Sequence, residues 1–225
     1  MRNVVKSAIW LLAAILLMTG CAVAAPTEPE TEEWIFQSPY AQAYYDYLQE
    51  YIASCSPAEK VLLRFGLTFI DEDDVPELLI FPDDCHAAGV KVYTYTRDRV
   101  VGLGEFGSFG KMQYVKREGM IFSTFMGQGE SNSDFFHMED GEAILVSSLH
   151  SWPDYSRYEE GEYSEFYEID ERSVTEDVYQ AKWEELYDSQ EYVLIGYEDG
   201  IPLNETELLP ALVQAIENLL GRDGK

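Results

Sequence analysis

Val90-Lys-Val-Tyr-Thr-Tyr-Thr96, then Arg97-Asp98, then Arg99-Val-Val-Gly-Leu103, alternates apolar with polar residues on both sides of a two-residue tip. A period of two puts every second side chain on one face, so the stretch predicts a β-hairpin. The same alternation continues in Lys111–Val115, Met120–Met126, Ser133–Met138 and Ala143–Leu149. The joints hold Glu118-Gly119, Gly127–Gly129 and Asp140-Gly141, where glycine supplies the positive φ of tight turns. Eight of the sixteen glycines fall between His86 and Glu130. Short strands on short turns predict an antiparallel meander.

Outward from this centre, Arg64–Ile70 and Glu77–Phe81 read as two further strands around an acidic turn. Before them, Ser38-Pro39 has the form of a helix start, and Tyr44, Tyr47, Leu48, Tyr51 and Ile52 follow at helical spacing to an end near Ser54–Pro57. The tyrosines Tyr40, Tyr44, Tyr45 and Tyr47 suit core packing, with a sugar platform as the alternative. Beyond the meander, Tyr163–Ile169 and Glu191–Tyr197 read as strands. Ser173-Val-Thr-Glu176 has the spacing of a capping box for a helix to Asp188. Asn204-Glu-Thr-Glu207 opens a last helix to Leu220, with Gly221 as its stop and Pro210 in its first turns. The expected class is α+β: an antiparallel β meander with one N-terminal helix and two C-terminal helices. Phe65, Ile80, Val92, Phe122, Ile144, Val193, Leu212 and Ile216 are the expected core.

The chain has 225 residues, 46% of them hydrophobic, and a formal net charge of −27. That length suits one domain plus a targeting segment. The charge excludes DNA and RNA as partners, which need clustered Lys and Arg. It equally excludes a polybasic grip on anionic lipid. Three cysteines exclude a disulfide scaffold; Cys55 and Cys85 either pair or stay free. Ser131–Asp199 holds 20 acidic residues against Arg157, Arg172 and Lys182.

Residues 1–20 have the form of a secretory signal: a basic head with Arg2 and Lys6, an apolar run Ala8–Met18, then Thr19-Gly20 before Cys21. The run is short for a transmembrane helix, which needs ~20 apolar residues. Leu17-Met-Thr-Gly-Cys21 resembles the lipobox of bacterial lipoproteins, with Met18 where leucine is usual. The resemblance implies a lipid on Cys21 and a place on the outer face of the cell membrane. A plain signal cut after Ala22-Val-Ala24 is the alternative. Cleavage before Cys21 removes Arg2 and Lys6 and no acidic residue, leaving 13 basic and 42 acidic side chains, a net −29. Residues 21–34, rich in Ala, Pro and Glu, read as a flexible acidic tether. The domain is expected over 35–221, with a tail at 222–225.

Several motifs fail on context. Gly102-Leu-Gly-Glu-Phe-Gly107 matches a dinucleotide pattern, but strands surround it rather than a strand-to-helix turn. Gly107-Ser-Phe-Gly110 lacks the first glycine of a nucleophile elbow. His86, His137 and His150 stand in three separate segments without zinc-ligand spacing.

The informative stretch is Phe69-Ile-Asp71-Glu-Asp73-Asp74-Val-Pro-Glu77-Leu-Leu-Ile80. Alternate carboxylates on a tight turn point oxygens toward one centre, as hard cations require. It resembles the Asp-x-Asp-x-Asp-Gly-x-Pro-Glu-Leu loop of FG-GAP-like calcium repeats and of uncharacterised secreted lipoproteins of Gram-positive bacteria. Those lipoproteins are similar also at His86-Ala-Ala-Gly-Val90, Tyr93-Thr-Tyr95, Leu103-Gly-Glu-Phe-Gly107, Met126-Gly-Gln-Gly129 and Asp199-Gly-Ile-Pro-Leu203. The resemblance implies no activity. Aligned on Pro76-Glu77, it puts Phe69 at the first ligand position and Asp74 at the loop glycine, so the ligand set is incomplete. Weak calcium binding by Asp71, Asp73, Asp74 and Glu77 is the expectation, with Lys60 and Arg64 as the nearest bases to relieve the charge. The function expected is a surface-anchored, non-enzymatic binding module for a protein or glycan. The alternative is a glycan hydrolase using two carboxylates near Trp152, Tyr155, Tyr158 or Trp183.

Overall fold

A computed structural model describes residues 38–223 apart from 128 and 157–163. The expected leader, Cys21, the tether and the strand start at Tyr163 lie outside the described residues, as does Tyr158. The chain runs α1 (Pro39–Ser54), α2 (Pro57–Leu62), β1 (Arg64–Thr68), β2 (Glu77–Phe81), β3 (Val90–Thr96), β4 (Arg99–Phe106), β5 (Lys111–Val115) and β6 (Met120–Gly127). It continues with β7 (Glu130–Glu139), β8 (Glu142–Asp154), β9 (Ser164–Ile169), β10 (Arg172–Val174), α3 (Glu176–Trp183), β11 (Tyr192–Gly196), β12 (Ile201–Pro202) and α4 (Leu208–Asp223). The fold is α+β and antiparallel, with an N-terminal helix and C-terminal helices.

The meander is split in two. One sheet has the order β12-β1-β2-β3-β4, the other β10-β9-β8-β7-β6-β5-β11. Gly107 marks the break between them. Its φ is +75°, and an added Cβ would sit 1.9 Å from the Lys111 carbonyl oxygen, so only glycine fits. The Gly102–Gly107 stretch is therefore the end of a strand and a corner, and no helix follows it.

α1 and α4 cover one face of the five-stranded sheet. Tyr44, Leu48 and Ile52 pack there with Phe65, Ile80, Leu212 and Ile216. Tyr44 is fully buried and its hydroxyl donates to the Pro76 carbonyl at 2.8 Å, so the tyrosine stripe serves packing at its centre. The other face meets the seven-stranded sheet through Leu79, Phe81, Val92, Met112, Ile121 and Met138. α3 and the π-turn that extends it to Asp188 cover Phe122, Phe135 and Leu149 on the far face of that second sheet.

Two expected core residues are exposed. Ile144 is 46% exposed and Val193 40%. The β7–β8 register shifts at Phe135/Phe136, leaving Val146 outside the ladder. One residue of slip turns the following side chains over. Ile144 therefore pairs with exposed His137. Val193 stands on β11, the last strand of its sheet, and edge strands are half covered.

Helix starts also differ. Thr175, not Ser173, is the N-cap of α3, because Ser173 is drawn into β10 opposite Glu168. Asn204 makes an Asx turn, accepting from the Thr206 N–H at 3.2 Å, and α4 begins only at Leu208. Gly221 does not stop α4, which continues to Asp223. The short α2 has a full capping box: Ser56 accepts from the Glu59 N–H, and Glu59 accepts from the Ser56 N–H at 2.7 Å. Cys55 and Cys85 are free thiols.

Candidate functional site

The acidic turn between β1 and β2 folds by its own carboxylates. Asp71 Oδ1 accepts from the Asp73 N–H at 3.0 Å, and Asp73 Oδ1 accepts from the Val75 N–H at 2.7 Å. These are successive Asx turns. Pro76 then directs the chain into β2. Glu77 opens that strand and is fully buried. Its Oε2 accepts from the Ile70 N–H at 2.7 Å, and the Thr94 hydroxyl donates to its Oε1 at 3.4 Å.

Oxygens of Asp71, Asp73 and Glu77 lie within 4.8 Å of one another. Such crowding in part-buried surroundings disfavours charge. Burial pushes the Glu77 carboxyl up to about 8, helped by the charges of Asp71 and Asp73 and opposed by the Ile70 N–H. Burial raises Asp73 too, with Asp71 and Asp74 adding to it. A cleft of about 390 Å³ opens beside the turn, lined by Asp71, Glu72, Asp73, Glu118 and His137.

Asp74 lies outside this group. Its side chain is fully exposed, 3.7 Å from an Arg117 nitrogen. Arg117, rather than Lys60 or Arg64, brings positive charge to the turn. Its guanidinium stacks on the Phe69 ring at 4.0 Å and donates to the Asp73 carbonyl at 3.2 Å. It arrives from the β5–β6 turn, whose Arg117 and Gly119 N–H groups donate to the Phe69 and Ile70 carbonyls. Lys60 instead pairs with Glu205 at 2.6 Å, and Arg64 donates to the Gly200 carbonyl. Sequence distance misled because the second sheet supplies the base.

A second candidate surface lies on the seven-stranded sheet. On its inner face Ile121 packs against the other sheet. Two and four residues on, Ser123 and Phe125 share that face but reach past the contact. Phe125 pairs with Asn132, Asn132 with His150, and His150 with Glu168. Trp152 pairs with Phe166 one step further along. None of Phe125, His150, Trp152 and Phe166 belongs to a core cluster, and Phe125 and Phe166 are 49% and 47% exposed. The rings contact one another: His150–Trp152 at 4.7 Å, Trp152–Phe166 at 5.6 Å, and, beside them, Phe109–His86 at 4.5 Å and His86–Phe125 at 5.1 Å. Tyr155 is exposed at the end of β8, whereas Trp183 is packed against Phe122 and Phe135 under α3. No helix among the described residues is long and apolar enough to cross a membrane.

No protein-family model matches the sequence, and no curated protein matches it. Among solved structures, the chain is similar to one titled "Structure of a Xanthomonas Type IV Secretion System related protein". The identity is 16%, the match covers 50% of this chain and 58% of that one, and the TM-score is 0.35.

Proposed function

We propose that the chain is a non-enzymatic binding module, held by a lipid on Cys21 to the outer face of the cell membrane and akin to the secreted lipoproteins it resembles. The observation that carries the reading is the open aromatic strip of the seven-stranded sheet. A sheet that buries Phe122 and Phe135 under a helix yet leaves Phe125 and Phe166 half exposed, with Trp152 half-buried between strands, has apolar area to offer a partner. The strip presents rings from adjacent strands of one sheet, a geometry suited to recognition. The acidic tether provides reach, and a net −29 holds the body away from an anionic membrane. In this reading the acidic turn is a weak calcium site built from Asp71, Asp73 and Glu77, with stability as its output.

The test is expression of the full chain in a Gram-positive bacterium, with mass spectrometry of the mature N-terminus and surface proteolysis of intact cells. Acylated Cys21 on a detergent-soluble, surface-exposed protein is expected, and Cys21→Ala should abolish both acylation and membrane retention. An unmodified N-terminus at Ala25 would overturn the anchor. Hydrolysis of a glycan by the purified protein would overturn the non-enzymatic reading.

A further inference from the structure

Resting on that reading, we infer that the open strip recognises a cationic polypeptide segment, rich in Lys and Arg, on another protein. The argument is charge complementarity joined to ring chemistry. Strands β6 to β9 carry no Lys or Arg. Asp134 and Glu168 rise from the same face as the rings, by their pairing with Ser148 and His150. The wider stretch Ser131–Asp199 has a net charge of −17. A bare acidic surface would attract any cation and select none. Here two carboxylates, Asp134 and Glu168, share a face with the rings across four adjacent strands, a width of ~14 Å at ~4.8 Å per strand.

Ring arrangement narrows the ligand. His150 and Trp152 are tilted only 35° at 4.7 Å, and Trp152 and Phe166 33° at 5.6 Å. Rings at these separations and tilts pack against one another rather than lying flat side by side. A sugar platform needs a ring lying open and flat, and this row offers gaps and end faces instead. Long side chains fit such a row. The methylene stems of Lys and Arg pack along rings, their cationic heads are drawn to ring faces, and carboxylates lie within reach of the heads. Asn132, between Phe125 and His150, supplies an amide for the partner's backbone. The mature chain, with 42 acidic against 13 basic side chains, repels anionic competitors and steers a basic segment in.

The experiment is calorimetric titration of the full lipidated chain in neutral detergent with a synthetic Lys/Arg-Gly peptide. A Gly-Ser peptide of equal length and a neutral cello-oligosaccharide serve as comparison ligands. Three variants accompany the wild type: Trp152→Ala/Phe166→Ser, Phe166→Ser alone, and Asp134→Asn/Glu168→Gln. Phe166 is half exposed, so the single variant leaves the core intact, and near-UV dichroism checks folding. Saturable binding of the basic peptide is expected, weakened about tenfold by the double ring variant at unchanged net charge. The carboxylate variant should weaken it similarly and flatten its salt dependence. Equal peptide affinity in wild type and ring variants overturns the inference, because the acidic surface alone then accounts for binding. Ring-dependent binding of the oligosaccharide without peptide binding overturns the ligand class and leaves the binding-module reading standing. If neither probe binds, the inference falls. Turnover of the oligosaccharide removes the reading beneath it.

Discussion

Glu77→Gln isolates the charge problem at the acidic turn. The two side chains have the same shape, and Gln keeps an acceptor for the Ile70 N–H that now bonds Glu77 at 2.7 Å. Its amide N–H groups point into a site crowded by Asp71 and Asp73 oxygens, so they find acceptors. What changes is the proton. Burial lifts Glu77 from 4.5 to about 8, so the folded state holds a proton that the unfolded chain releases. A group raised in the folded state contributes stability that is complete below its unfolded value and is lost as pH rises toward the folded one. The window therefore runs from about pH 4.5 to about pH 8. At about 1.4 kcal/mol per unit, the span bounds the loss at roughly 3–5 kcal/mol. Urea unfolding in EDTA, at steps from pH 5 to pH 9, reads it. Near pH 5 the variant and wild type should agree within about 1 kcal/mol. By pH 9 the variant should be the more stable by several kcal/mol, since a neutral amide has no charge to desolvate. Taking the difference removes whatever pH dependence the two proteins share. Glu77→Ala should instead be weaker at every pH by roughly 1–3 kcal/mol, because the buried Ile70 N–H loses its acceptor. A wild-type-minus-Gln difference that stays flat across the range would refute the account of Glu77.

Calcium should substitute for that proton. Millimolar calcium is expected to raise the melting temperature of the wild type, more at pH 8 than at pH 6, and not that of Asp71→Asn/Asp73→Asn. Affinity at the weak end, ~10⁻⁴–10⁻³ M, gives roughly 0.4–1.4 kcal/mol at about 1 mM calcium. An equal shift in both proteins would place the ion elsewhere. In the core, Ile216 is fully buried between α4 and the five-stranded sheet, so Ile216→Asp should abolish cooperative unfolding, read by circular dichroism. An unchanged melting curve would refute that packing.

Most of the strands were legible because alternation survives in sequences such as Val90–Thr96 and Lys111–Val115. Glu77–Phe81 carries no alternation at all: its five residues are buried on both faces, and only its length and flanking turn marked it as a strand. Illegible features share one physical origin, contact between segments far apart in the chain. The bulge that exposes Ile144 depends on how β7 meets β8, and nothing in Ala143–Leu149 alone announces it. β12 has two residues, held by pairing with Arg64 and Phe65, and is invisible to any periodicity. At the turn, Asp71, Asp73 and Glu77 were legible as a group from spacing. Arg117 was not, because the second sheet delivers it from 44 residues away. The open strip was legible only in part. Trp152 stood out as an aromatic among acids, but its row with Phe166 and His150 is a product of register, and Trp183, alike in composition, went into the core.

The turn's position explains why its charge matters beyond its three exposed residues, Glu72, Asp73 and Asp74. Phe69 and Ile70 leave β1 and take N–H groups from Arg117 and Gly119 of the second sheet, at 3.2 and 2.8 Å. The Ile70 N–H, on the same residue, is held by Glu77. This stretch of the β1–β2 connection, which touches the second sheet, is thus fixed at one side by the β5–β6 turn and at the other by a single buried carboxyl. Arg117 meets Asp74 and the backbone of Asp73 beside the crowded oxygens of Asp71, Asp73 and Glu77, where a proton or a cation would ease the repulsion. Either one keeps Glu77 seated under Ile70. With neither, the carboxylate gains by turning out to water, and the cost falls on the junction between the sheets before it reaches the helix-covered cores. Where calcium is available, the turn would use the cation at alkaline pH and the proton at acid pH. The junction then holds across both, and the open strip on the second sheet keeps its place relative to the first.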